Sequence, residues 1–174
     1  DVIDVLVENF NLWKVVNGRQ PVDGETWSSN ADIRKILDCL SSYNNEFWKY
    51  PVSIFYMEHK HRNDFENIFL RFLRKFYVML LTRYLERPTI SAVKGDILKL
   101  NMAIIDDSHP DFYAGFEDRN TACSEENNAE QSQTDNLLIM PHRNAVRMLL
   151  KLLAYEDPKQ TDLLPSYWEI EHIF

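Results

Sequence analysis

The feature that most constrains the fold is a long stretch, residues 63–86, that contains neither glycine nor proline. Asn63 and Glu66 have the spacing of an N-terminal capping box, in which the two side chains satisfy free backbone N–H groups. Apolar side chains then recur every three or four residues: Phe65, Ile68, Phe69, Phe72, Phe76, Met79 and Leu80. That period places them on one face of a helix. We predict a helix over 63–86 that packs on the core through this face.

The first third of the chain contains three further segments with helical features. In residues 1–16, a core-facing stripe is predicted from Val2, Leu6, Phe10 and Trp13. Asn30 can cap a second helix, ending near Tyr43, because its side chain can accept a hydrogen bond from a free backbone N–H. Pro51 suits the first turn of a third helix, residues 51–59, because its fixed φ matches that position.

Two more helices are predicted in the second half of the chain. Thr89 or Ser91 can cap the first, whose apolar positions are Val93, Ile97, Leu100 and Ile104. The second runs from Pro141 to about Glu156, and its apolar stripe is Val146, Leu149, Leu150 and Leu153. Since 45% of the residues are hydrophobic, the chain can close a core without disulfides or metals. We expect an all-α fold, an irregular bundle of about six helices.

The acidic residues are unevenly distributed. The whole chain carries a net charge of −8, but residues outside 106–136 include 18 acidic and 18 basic side chains. A near-neutral body lacks the broad basic patch that nonspecific nucleic-acid binding requires. Any contact with DNA would therefore be local or supplied by other domains. Within 106–136, the acidic and polar composition cannot offset the entropy of ordering, so we predict a mobile insertion.

The last residues have a different pattern. From Tyr167 to Phe174, apolar and acidic side chains alternate, which is the two-residue period of a short C-terminal β-strand. Glu171 and His172 place a carboxylate beside an imidazole. A carboxylate can hold a divalent metal, and an imidazole can deprotonate the water that attacks a phosphodiester. The alternative is that both are ordinary strand residues.

The terminal segment and three segments before it resemble parts of one known protein family. The segment Trp168–Phe174 resembles the start of the (D/E)-H-I-x-P element that opens the HNH nuclease domain of GmrSD-type, type IV restriction proteins. The segments Arg143–Leu150, Phe47–Pro51 and Phe65–Tyr84 are similar to the helical region of that family. In the family this region lies between an N-terminal ParB-like nucleotide-hydrolysing domain and the nuclease domain.

The resemblance implies a domain organisation and two site residues. Residues 1–157 would be a helical connector domain, and residues 158–174 the start of a truncated HNH domain. Glu171 would be the metal ligand and His172 the general base of a site that is incomplete in this chain. The connector would bind no cofactor itself, whereas the full-length parent would use Mg²⁺ or another divalent metal and a nucleoside triphosphate.

The implied function is that of a scaffold within a modification-dependent DNA restriction or phage-defence endonuclease. Its partners would be the flanking domains and, for the parent protein, DNA; a homo-oligomer is compatible with this. The sequence contains no run of 18 apolar residues, so it predicts no membrane span. Cys39 and Cys123 match no CxxC spacing, which favours a reducing cytoplasm. The rival hypothesis is a non-catalytic adaptor that binds a protein through an aromatic surface around Trp48 and Tyr56.

Overall fold

The computed structural model describes residues 2–43, 45–86, 89–106 and 143–167. Six α-helices lie in these ranges: α1 (Val2–Gly18), α2 (Ala31–Leu40), α3 (Lys49–His59), α4 (Phe65–Glu86), α5 (Lys94–Ile105) and α6 (Arg143–Glu156). Short 3-10 turns occur at Thr26–Ser29 and Ile90–Val93. No strand occurs in the described ranges, so the predicted all-α bundle is confirmed. The predicted acidic insertion, apart from Asp106, and residues 168–174 of the predicted strand lie outside them.

Helix α4 forms the centre of the bundle and packs against α2, α3 and α6. Its predicted apolar face is correct, because Phe65, Phe69, Phe72, Phe76 and Leu80 are all buried. The helix begins at Phe65 rather than at the predicted Asn63. Glu66, expected to form the capping box, instead accepts a hydrogen bond from the Asn30 amide at 2.6 Å. This bond ties the start of α4 to the start of α2.

Aromatic rings fill the space between α3, α4 and the loop that precedes α2. The rings of Phe55 and Phe72 stack with their centroids 4.1 Å apart. Trp27, from the loop, meets Phe69 and Tyr56 edge-to-face at 5.5 and 5.6 Å. Such pairs contribute roughly 0.5–1.5 kcal/mol each beyond the burial of their surface. The loop is therefore held against the helices by the side chain of Trp27.

The predicted helix caps have mixed outcomes. Asn30 caps α2 as expected, since its Oδ1 accepts hydrogen bonds from the N–H groups of Asp32 and Ile33 at 2.9 and 3.2 Å. The predicted capping of α5 is wrong, because Thr89 makes no capping bond and the residue before the helix is Val93. The 3-10 turn at Ile90–Val93 separates Thr89 and Ser91 from the helix start. The predicted apolar positions of α5 are nevertheless all buried: Val93, Ile97, Leu100 and Ile104.

The predicted core-facing stripe of α1 is wrong at Leu6 and Phe10, and the side chain of Val2 lies outside the described residues. Leu6 and Phe10 are 63% and 61% exposed, whereas Leu12 and Val15 are buried in the core. Trp13 lies at the edge of the core, where its ring meets that of Trp48 edge-to-face at 5.6 Å. Helix α1 has apolar residues on more than one face, so the helical period alone could not decide which face is buried.

The predicted apolar stripe of α6 is also misplaced. Leu150 and Leu153, which we expected to face the core, are exposed. The buried positions of this helix are Ala145, Met148, Lys151 and Tyr155. The physical reason is an ion pair inside the protein, because the ammonium of Lys151 lies 2.8 Å from the carboxylate of Asp38 on α2. That contact turns the face containing Lys151 inward.

The position of Phe72 at the centre of the core makes a testable prediction. Phe72→Ala should lower the free energy of unfolding by about 3–5 kcal/mol, because the side chain is fully buried and would leave a cavity. Val78→Ala on the same helix is the control, since Val78 is 46% exposed and should cost less than about 1 kcal/mol. Urea denaturation measures both. Equal losses would mean that α4 does not present the Phe72 face to the core.

Candidate functional site

The two residues assigned to chemistry by the sequence, Glu171 and His172, lie outside the described residues. Their roles as metal ligand and general base stay predictions. In the part of the chain that the structure describes, no group of three or more His, Cys, Asp or Glu side chains is arranged to hold a metal ion. The described polar residues that do converge form a different kind of cluster, which is built around Asp38.

The aromatic surface proposed around Trp48 and Tyr56 is wrong. These side chains are only 2% and 0% exposed. The Tyr56 hydroxyl donates a hydrogen bond to Glu25 at 3.0 Å, and the same carboxylate accepts one from the Trp27 indole at 2.7 Å. Burial and the adjacent Glu25 carboxylate raise the pKa of Tyr56. These aromatic residues form the core and its polar support, so they cannot contact a partner.

The Asp38 carboxylate on α2 is buried beside Lys151 of α6, with residue exposures of 7% and 6%. The Lys151 ammonium has three acceptors: the Asp38 carboxylate and the Asp38 carbonyl, both at 2.8 Å, and the Ser42 hydroxyl at 2.9 Å. An ammonium has three N–H donors, so its hydrogen-bonding capacity is filled. Removing one partner of such a buried pair typically costs about 3–5 kcal/mol.

Two more side chains reach the same carboxylate. The Tyr155 hydroxyl donates a hydrogen bond to Oδ2 of Asp38. The Nε of Arg19 lies 3.1 Å from Oδ1, which makes an ion pair, although the N–H is not aligned for a hydrogen bond. Burial and the bond to Asp38 raise the pKa of Tyr155. The cluster therefore joins the end of α1 to α2 and α6.

Arg19 and Tyr155 also hold the backbone of Leu164. The Arg19 guanidinium donates a hydrogen bond to the Leu164 carbonyl. The Tyr155 hydroxyl accepts one from the Leu164 N–H at 3.0 Å. Arg19 itself has a φ of 57°, in the left-handed region that residues with a Cβ rarely occupy. The segment after α6 is thus fixed to the bundle through both polar groups of one residue.

A cleft of about 210 Å³ opens between α2, α4 and α6, next to this cluster. Its apolar lining includes Ile36, Val78 and Leu152, and its charged lining residues are Asp32, Lys35, Arg74 and Glu156. Cys39 also lines it, and burial raises the pKa of that thiol to about 12, against the opposing effect of Lys151. Since the thiolate is the nucleophilic form of cysteine, Cys39 is poorly suited to covalent catalysis.

Two helices present apolar stripes to solvent. On α1 the stripe consists of Ile3, Leu6, Val7 and Phe10, which follow the helical spacing of three and four residues. On α5 it consists of Leu98, Met102 and Ile105. Both helices pack on α3 through their other faces. The predicted stripe of α1 included Leu6 and Phe10 but placed them in the core, and it did not include Ile3 or Val7.

Comparison with known proteins identifies no relative. No protein-family model, curated protein or solved structure matches the chain. Among the described residues, no helix combines the length and apolar character needed to cross a membrane.

The raised pKa of Cys39 predicts low thiol reactivity. In a Cys123→Ser variant, Cys39 is the remaining cysteine, and at about pH 8 its thiol should react with an alkylating reagent far more slowly than a free thiol. Mass spectrometry after timed alkylation measures the rate. The same variant in denaturant should react quickly, because unfolding removes the burial that raises the pKa. Rapid alkylation of the folded protein would contradict the buried position of Cys39.

Proposed function

We propose that this chain is a helical connector that positions the flanking domains of a modification-dependent DNA endonuclease. The observation that carries the proposal is the pair of exposed apolar stripes on α1 and α5. Contiguous apolar side chains on a protein surface often mark an interface with another domain or protein. A connector requires such surfaces, because its neighbours must be held in defined positions.

The rigidity of the bundle supports the same proposal. Helices α1 and α5 both pack on α3, and the aromatic core joins α3 to α4. Closely packed helices move as bodies rather than deforming continuously. A displacement imposed on the α1 stripe would therefore be passed to the rest of the bundle, and from there to the segment after α6.

The identity of the neighbours rests on the resemblance to GmrSD-type proteins. It supplies a nucleotide-hydrolysing domain on one side and an HNH nuclease on the other, in a cytoplasmic protein that acts on DNA. A nucleoside triphosphate and a divalent metal such as Mg²⁺ would belong to those domains. Glu171 would contribute to the metal site, and His172 would accept a proton from the attacking water.

A helical adaptor is the second candidate, and the α5 stripe is the observation that favours it. Leu98, Met102 and Ile105 could receive a separate protein as well as a flanking domain. Methionine suits such a surface because its flexible, polarisable side chain adapts to different partners. The two candidates differ in whether the α1 stripe controls an activity in the same polypeptide.

The connector function predicts that an α1 substitution separates two activities. In the full-length parent, Leu6→Glu should reduce Mg²⁺-dependent plasmid cleavage while phosphate release continues, because a buried charge would disturb the contact with a flanking domain. Leu153→Glu is the matched control, since this leucine of α6 is similarly exposed but lies off both stripes. Both activities should be measured on the same preparations. Equal cleavage by the two variants and the wild type would contradict the proposal.

The terminal pair is tested in the same assay. His172→Ala should abolish cleavage and leave nucleotide hydrolysis largely intact, because the imidazole would act only on the water that attacks the phosphodiester. Glu171→Ala should lower cleavage by weakening the metal site. The isolated 174-residue chain should not cleave DNA. If the His172→Ala parent cuts as fast as wild type, the nuclease assignment fails and the adaptor becomes the favoured function.

A further inference from the structure

The segment that follows α6 is attached to the bundle by contacts that reach far across the sequence. Leu163 and Leu164 pack their side chains against the core. The backbone N–H of Leu164 donates to Tyr155, and its carbonyl accepts from Arg19, 145 positions earlier in the chain. By contrast, the hydrogen bonds of Gln160 and Thr161 are local, to Asp157, Lys159 and Asp162. Docking of this segment therefore depends strongly on Leu164.

Both side chains that hold Leu164 are themselves held by Asp38. The carboxylate accepts the Tyr155 hydroxyl on one oxygen and lies 3.1 Å from Arg19 Nε on the other. The Lys151 ammonium pairs with the same carboxylate at 2.8 Å. The Asp38 carboxylate therefore positions Arg19 and Tyr155, and each of these side chains makes one hydrogen bond to the backbone of Leu164.

Arg19 adds a direct link to α1. Its N–H donates to the Val15 carbonyl at 2.8 Å, which closes the last turn of the helix. Its φ of 57° costs energy for a residue with a Cβ, and such a conformation persists only where the surroundings hold it. Here the contacts with Asp38 and Leu164 do so. A rotation or shift of the α1 end would draw the Arg19 side chain away from Leu164.

We infer that a latch, formed by Asp38, Arg19 and Tyr155, couples the end of α1 to residues 160–167. This segment can detach while the helical bundle stays folded. Release occurs when Arg19 or Tyr155 leaves Leu164. The use of this latch to carry a signal between flanking domains rests on the connector function proposed above. The latch itself is a property of this chain and can be tested on it alone.

Arg19→Gly tests the latch by removing the side chain that donates to the Leu164 carbonyl. Glycine adopts the left-handed conformation freely, so relief of backbone strain offsets part of the lost side-chain contact. The backbone N–H of Leu164 should exchange with solvent about fivefold faster or more than in the wild type, because the segment loses a hydrogen-bonding partner. The backbone N–H groups of α4 should keep their wild-type exchange rates. Tyr155→Phe should give the same local increase, because it removes the acceptor of the Leu164 N–H. Hydrogen exchange followed by NMR resolves these amides.

Arg83→Ala is the control, because Arg83 makes ion pairs with Glu86 and Asp96 on α4 and α5, away from Leu164. It should leave the Leu164 exchange rate unchanged. The latch is overturned if neither Arg19→Gly nor Tyr155→Phe accelerates Leu164, or if the α4 amides accelerate by the same factor in both variants. If the exchange rates change as expected but the Leu6→Glu parent cleaves DNA as fast as wild type, the latch is supported and the connector function is rejected.

Discussion

The placement of α1, α2 and α6 relative to one another depends on the contacts of one buried carboxylate, that of Asp38. A carboxylate inside a protein is tolerated only with charged and hydrogen-bonding partners. Those partners come from α6 as Lys151 and Tyr155, and from the end of α1 as Arg19. Because each must reach the same two oxygens, the rotation of α6 and the position of the α1 end are both restricted. The aromatic core supplies most of the buried surface, but apolar contacts alone are less directional.

Sequence reasoning succeeded where local patterns decide the structure, and it failed at α6, where the contact with Asp38 decides which face is buried. The existence of α4 and its buried face followed from a long helical period, and the cap at Asn30 followed from local backbone chemistry. The face of α6 could not be found in this way. Asp38 and Lys151 are 113 residues apart, and a lysine among leucines gives no local sign that it is buried. For α1, the predicted stripe included Leu6, which is exposed, and left out Leu12, which is equally apolar and is buried in the core.

The predictions of functional residues also differ in how the structure bears on them. Glu171 and His172 were singled out by adjacency and by resemblance, and their roles stay predictions. The rival adaptor hypothesis placed Trp48 and Tyr56 at a binding surface, but both side chains are buried in the core, to which aromatic residues are well suited. The exposed stripes of α1 and α5 replace them as candidate contacts. The bundle thus combines a core stabilised by ring packing with exposed apolar faces on α1 and α5.

The account depends most directly on the claim that Asp38 and Lys151 interact as a buried pair. A double-mutant cycle with Asp38→Asn and Lys151→Met, measured by urea denaturation, isolates that interaction from the burial of the lysine methylene groups. The predicted result is a coupling free energy of about 2–3 kcal/mol, since both groups are nearly inaccessible to solvent. A coupling below about 0.5 kcal/mol, within the range of additive sites, would contradict the claim that this pair orients α6.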